Sequence, residues 1–311
     1  MNNTAENYSL SIQIRKFLEF CEIAKNQSKK TIENYQHYLN RFLKWAGNID
    51  VSTINLELIQ NYRLYLSRLK DPKTNDYIGI KTQNYHIIAL RAFLKFLVKH
   101  DIETLSPEKI DLSKIPERSV EFLSRDELER LFNTVQKNTK KGLRDLAILE
   151  TLYSTGLRVS ELVNLNRDQV DLERKEFMVR GKGKKPRIVF LSGRAVEAIS
   201  DYIKSRDDNF SPLFITLKRG REDDDLSFEE KKRLTPYTIQ ELVRNYSRLA
   251  GIAKKVTPHT LRHSFATEML INGADIRSVQ ELLGHASITT TQIYTHITNK
   301  KLREVHEKFH K

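Results

Sequence analysis

Thr257–His296 reads TPHTLRHSFATEMLINGADIRSVQELLGHASITTTQIYTH, and the rest of the chain takes its meaning from this stretch. Thr257 is a natural N-cap and Pro258 suits the first helical position, so a helix starts here. His259 and Arg262 are three residues apart and project from one face of its first turns. Free N–H groups at a helix start also attract an anion. The helix is expected over 258–271 and a second over 275–283, and Gly284 suits the end of the second. His285 follows, and Tyr294 lies nine residues further on. Upstream stand Arg158 in STGLRVSEL and Lys182 in VRGKGKKPR. Two arginines, a lysine, two histidines and a tyrosine can neutralise a phosphate, donate a proton and attack, all without a metal.

Taken singly, each residue has an ordinary alternative. Arg158 at a helix start reads as a surface cation, although Glu161, one turn along the same face, can hold its guanidinium or a histidine in place. His259 and Arg262 read as a helix-cap histidine and a solvated arginine. Lys182, Lys184 and Lys185 in GKGKK read as a basic turn whose glycines permit a close approach to a phosphate backbone. A lone tyrosine in a helix is most often amphipathic packing. The ordered set of HTLRHSFAT, LLGH and TTTQIYTH, with Arg158 and Lys182 before it, carries the signal that no pair within it does.

Composition agrees with a polyanionic partner. The 311 residues hold 53 Lys and Arg against 40 Asp and Glu, a formal charge of +13. Up to Val120 there are 18 basic and 13 acidic residues, and the remainder also has a positive excess, so both halves are basic. Such a distributed excess fits a chain that grips nucleic acid along its length, although solvated basic faces would give the same count. The single cysteine, Cys21, excludes an internal disulfide and a cysteine-cluster metal site, and its helical apolar neighbours make it a core thiol. The start, MNNTAENYSL, has no basic region followed by an apolar run, and no apolar segment approaches membrane-spanning length. A cytoplasmic protein without membrane contact is expected.

Up to about His100 the pattern is helical. The predicted apolar faces are Ile12, Phe17, Phe20 and Ile23; Ile32, Tyr35, Leu39, Phe42 and Leu43, with Ser28 as N-cap; Leu58, Tyr62, Tyr65, Leu66 and Leu69; and Tyr85, Ile88, Ala89, Phe93, Phe96 and Leu97. Four such helices make a small bundle. The expected division is a bundle over residues 1–112, an extended linker over 113–121, and a second domain over 122–311. Ser124 and Glu127 in SRDE form a capping box at its start. Helices are expected near 125–137, 142–154, after Gly156, and near 193–205, 236–250, 258–271, 275–283 and 298–309. Phe177–Arg180 and Arg187–Leu191 flank GKGKK as a hairpin. The second domain is therefore mostly helical with a small sheet.

The order R…K…HxxR…H…Y resembles the tyrosine recombinase (phage integrase) family, from about Phe122 onward and more weakly through the first third. GLRVSEL, GKGKK, ADIRSVQELLGHASITTTQIYTH and LREVHEKFHK resemble its Xer branch. The resemblance implies a mainly α fold: an N-terminal four-helix, SAM-like core-binding domain and a mostly helical catalytic domain with a small antiparallel sheet, together clamping DNA. It implies a site-specific DNA recombinase in which Tyr294 attacks a phosphodiester, leaving a 3′-phosphotyrosyl bond and a 5′-hydroxyl. Two rounds of exchange then pass through a Holliday junction without cofactor or metal. Arg158, His259, Arg262 and His285 would serve the phosphate, Lys182 would protonate the leaving oxygen, and Glu161 would support them. Lys184, Lys185, Lys81 and Arg91 are expected DNA contacts.

Implied partners are a double-stranded recombination site, further copies of the chain as a tetramer on two paired sites or a second related recombinase, and a DNA translocase as activator. Leu302, Val305 and Phe309 give the terminal helix an apolar stripe for docking on a neighbour, or for folding back on its own domain. Xer-type enzymes resolve chromosome or plasmid multimers. An integrase or excisionase of a mobile element, a type IB topoisomerase and a non-catalytic DNA-binding protein on the same scaffold are the competing readings. Residues 218–233, KRGREDDDLSFEEKKR, depart from the Xer pattern in length and acidity, and a surface loop facing away from DNA is expected there.

Overall fold

Local capping signals begin most of the helices. In the computed structural model, which describes residues 8–72, 74–115, 121–180, 186–217 and 227–284, the chain divides into two compact units, Met1–Glu117 and Arg118–Lys311. In the first, α1 (Leu10–Ile23), α2 (Lys29–Ala46), α3 (Leu56–Ser67) and α4 (Ile80–Lys99) form the expected bundle. The Ser28 and Asn55 side chains accept from the Thr31 and Leu58 amides, each satisfying one of the free N–H groups at the start of α2 and α3. Phe17 meets Phe93 edge-on at 5.8 Å and Phe42 meets Tyr62 at 4.9 Å, so α1 and α4, and α2 and α3, are joined through rings. Cys21 is buried among them.

Two of the predicted apolar faces hold only in part. On α1 the buried stripe is Leu10, Ile14, Phe17 and Cys21, while Ile23 is 82% exposed at the helix end. A register of 10, 14, 17 and 21 keeps the four-three-four spacing and leaves Ile12 and Ile23 to one side. On α4, Ala89, Phe93, Phe96 and Leu97 are buried as predicted, whereas Tyr85 and Ile88 are exposed and Ile87, Leu90 and Leu94 complete the core. The beginning of the expected linker is anchored within this unit. Arg63 donates to the Asp111 carbonyl and the Ser113 hydroxyl, both at 2.8 Å, and the Asn84 amide exchanges two hydrogen bonds with the Ser113 backbone.

The second unit is built around α6 (Lys140–Thr155), which is buried on nearly every side. Before it lies α5 (Arg125–Asn133), opened by the Ser124–Glu127 capping box with both bonds present. It stops four residues earlier than expected, because the Thr134 hydroxyl takes the Arg130 carbonyl, Val135 turns into the core, and Thr139 already caps α6. After α7 (Val159–Val163) comes an antiparallel sheet of β1 (Val170–Asp171), β2 (Glu176–Arg180) and β3 (Pro186–Phe190) in that order. Phe177, Val179 and Val189 face the core; Met178, Ile188 and Phe190, on the other face, are 60, 51 and 54% exposed. The two-residue β1 was not among the predicted elements.

The remaining helices are α8 (Gly193–Lys204), α9 (Ser227–Lys232), α10 (Pro236–Leu249), α11 (Pro258–Ile271) and α12 (Ile276–Leu283). The fold is mainly helical with a small antiparallel sheet, as expected. Over residues 227–232, helix α9 replaces the loop expected across 218–233. Its end is tied down by Arg233, whose guanidinium donates to the Val163 and Leu165 carbonyls and to the Asn166 side chain at 2.8–3.1 Å. Residues 218–226 and the expected helix at 298–309 lie outside the described residues.

Candidate functional site

Thr257 caps α11 by accepting from the Thr260 amide, and Pro258 occupies its first turn. This sets His259 and Arg262 on the face that meets the end of α12. His259 is exposed, whereas Arg262 is only 4% exposed. A buried guanidinium needs partners for its charge and donors. Arg262 donates from Nη1 to the Gly156 carbonyl at 2.6 Å and from Nη2 to the Leu283 carbonyl at 2.7 Å.

Gly156 ends α6 in the left-handed conformation, at φ +60°. A Cβ there would fall 2.6 Å from Phe265 Cδ1 and 3.0 Å from Leu283, so only glycine lets the turn sit so close to α11 and α12. Two residues later Arg158 begins α7. Its amide and its Nη1 both donate to Glu161, at 2.9 Å each, and its Nη2 donates to the Gly284 carbonyl at 3.1 Å. The Arg158 side chain remains 28% exposed, against 7% for Glu161. A cleft of about 980 Å³ opens beside Arg158, between α7 and β2, lined also by Asn164, Gln169, Met178 and Arg180.

Arg187, on β3, was not singled out in the sequence. It presents two nitrogens to the two Glu161 oxygens, at 3.0 and 2.7 Å, and its Nε donates to the Leu282 carbonyl at 3.2 Å. Burial alone would raise the Glu161 carboxyl. The Arg187 fork and the two Arg158 contacts outweigh it and hold Glu161 below the usual carboxylate value. His259 is held below the ordinary histidine value by desolvation, with the Arg262 and Arg158 charges adding to it. His263, one turn on, is pushed down to about 4 by burial and by His259 and Arg262.

The structure therefore brings together Arg158, Glu161, His259 and Arg262 around the turn that ends α12. His285, the next residue in the chain, lies outside the described residues, as do Tyr294, Lys182, Lys184 and Lys185. Lys81 is exposed and Arg91 half-buried on α4, in the first unit. Among the described residues no cluster of His, Cys, Asp and Glu is arranged to hold a metal, and no helix is long and apolar enough to cross a membrane.

Residues 121–301 match the model of the phage integrase family, and residues 14–101 match that of the phage integrase N-terminal SAM-like domain. Tyrosine recombinase XerD of Oceanobacillus iheyensis is 36% identical over 304 residues, covering 97% of this chain and 99% of the relative. Tyrosine recombinase XerA of Thermococcus onnurineus is 38% identical over 285 residues, covering 91% and 90%. Among solved structures, XerH bound to its palindromic difH substrate in a post-cleavage complex has the same fold, with a TM-score of 0.70 and 22% identity over 96% of this chain and 85% of that one.

Proposed function

This chain belongs to the phage integrase family of tyrosine recombinases and is a site-specific DNA recombinase; from that premise we propose that Tyr294 is its nucleophile. The Tyr294 oxygen attacks phosphorus, the bond to the 5′-oxygen breaks, and Lys182 protonates the leaving oxygen. His259, held below its ordinary pKa, takes the tyrosine proton. Arg158 and Arg262, with His285, balance the charge that grows on the non-bridging oxygens. The 5′-hydroxyl of the partner strand then attacks the phosphotyrosyl bond, which has kept the energy of the phosphodiester. Two such exchanges pass through a Holliday junction.

The observation that carries this reading is the convergence of Arg158 and Arg262 on adjacent carbonyls, Gly284 and Leu283, immediately before His285. Guanidiniums from two separate helices are held at one turn, with His259 beside them. Identities of 33–38% to XerD, XerC and XerA relatives over nearly the whole chain favour resolution of chromosome or plasmid multimers in the cytoplasm over integration of a mobile element. In that role the chain acts on double-stranded DNA as a tetramer on two paired sites, alone or with a second recombinase, under a DNA translocase. The bundle of residues 1–112 and the domain of residues 122–311 both hold the duplex, with Lys81, Arg91, Lys184 and Lys185 on phosphates.

DNA that co-purifies with the protein from its own cells can be sequenced to find the site and built into a nicked duplex. The parent protein should form a covalent complex with that duplex and Tyr294→Phe none, at nearly unchanged DNA affinity. A covalent complex from Tyr294→Phe would remove the tyrosine from this role.

A further inference from the structure

Three consecutive carbonyls at the C-terminal end of α12 accept from three different arginines: Leu282 from Arg187, Leu283 from Arg262 and Gly284 from Arg158. A helix end carries unpaired carbonyls and the negative end of its dipole, so it attracts cations. Here the cations come from β3, α11 and the start of α7, three segments far apart in sequence. Two of them belong to the proposed phosphate site. Arg187 does not, yet it and Glu161 are the most deeply held pair there, 9% and 7% exposed.

The charges explain the arrangement. Glu161 carries one negative charge shared between two guanidiniums. If Arg158 were its sole ionic partner, the pair would be close to neutral, and a neutral pair attracts a phosphate weakly. Arg187 instead engages both carboxylate oxygens in a fork, the strongest geometry available to the two groups. Two guanidiniums and one carboxylate leave a net positive charge, and Arg158, whose guanidinium meets Glu161 through Nη1 only and is the more exposed, presents it. Gly284 is shaped to the same partner: at φ +62°, a Cβ on it would meet Arg187 Cδ and Nη1 at 3.0 Å.

We propose that Arg187 is a positioning residue of the strand-transfer site: it offsets the Glu161 charge from β3, so that the surroundings of Arg158 stay net positive toward DNA phosphate, and it fixes the turn that leads into His285. The inference rests on the reading of Arg158 as a phosphate-binding cation. Lysine cannot replace it, because one ammonium cannot fork the carboxylate and also reach Leu282.

The test uses the full chain, the nicked duplex described above, and four variants: Arg187→Gln, Arg187→Lys, and each combined with Glu161→Gln. Arg187→Gln should slow covalent-complex formation by about 10²-fold, the usual effect of weakening a transition-state cation. DNA affinity should stay within about threefold, since Arg187 is too buried to meet a phosphate itself. Adding Glu161→Gln should restore the rate by about tenfold or more, because the carboxylate that would quench Arg158 is then uncharged. If Arg187→Gln gives no melting transition, the Arg187→Lys pair answers the same question. A double variant no faster than its single parent, with losses that follow the melting temperature, would overturn the proposal, as would Arg187→Gln at the parent rate. A parent protein without covalent complex would instead count against the nucleophile assignment.

Discussion

Arg262 reaches back 106 residues to hold Gly156, its Nη1 lying 2.6 Å from the glycine carbonyl oxygen. The same guanidinium holds Leu283, so a residue of the proposed chemistry is also a tie between the ends of α6 and α12. Arg158, by contrast, sits at the surface of its site.

The two arginines should therefore fail differently. Arg262→Lys should lower the cleavage rate by about 10²–10³-fold and also lower the melting temperature, because one ammonium cannot serve two buried carbonyls in divergent directions. Arg158→Ala should cost a comparable factor in rate with a smaller change in melting. Covalent-complex kinetics and calorimetry on both variants check this; a parental rate in either one removes that arginine from the chemistry.

Gly156→Ala should destabilise the protein by about 1–3 kcal/mol, from left-handed strain and overpacking against Phe265. A Cβ at Gly193 meets nothing within 4 Å, and its backbone is unstrained, so Gly193→Ala at the start of α8 serves as control and should be neutral or slightly stabilising. Paired thermal melts decide it, and equal melting of the two variants would contradict the packing described.

Acid should weaken the fold through histidines held neutral. His86 and His263 are both pushed down to about 4, chiefly by burial, with Arg41 and His37 adding to it at His86 and His259 and Arg262 at His263. The unfolded chain binds these protons first, so stability rises with pH from about 4 to 6.5, where an unfolded histidine titrates. Melting temperature measured across that window should climb, and the slope should be shallower in His263→Gln. An unchanged slope would mean that His263 titrates as an ordinary histidine.

Cleavage should continue in excess EDTA, since side-chain cations supply the charge in the proposed mechanism. Loss of covalent complex in EDTA with rescue by Mg²⁺ would overturn the mechanism.

What the sequence revealed was local. Ser28, Ser124 and Thr257 act on amides three residues away, within the span that a sequence pattern reads directly. Glu161 was within reach because its partner Arg158 is on the same turn. Arg187 was invisible because Glu161 lies 26 residues before it and Leu282 95 residues after it, and only the folded sheet brings the three together. The face of α1 was misread at its ends because Ile12 and Ile23 are as apolar as the residues that pack. Helix α5 looked longer than it is because Val135, which continues its apolar period, is buried from a turn. A strand of two residues, β1, has no period to detect.

The outer face of the sheet has a practical consequence. Met178 and Ile188 stand opposite each other on β2 and β3, with Phe190 beside them, all more than half exposed. With a formal charge of +13, molecules repel at low ionic strength. Concentrated salt, the usual means of stripping nucleic acid from a basic protein, shortens the screening length to about 3 Å at 1 M and strengthens apolar contact when the anion is sulfate. Purification thus has a colloidal optimum: enough salt to release DNA, and chloride in preference to sulfate, to keep these apolar faces from meeting.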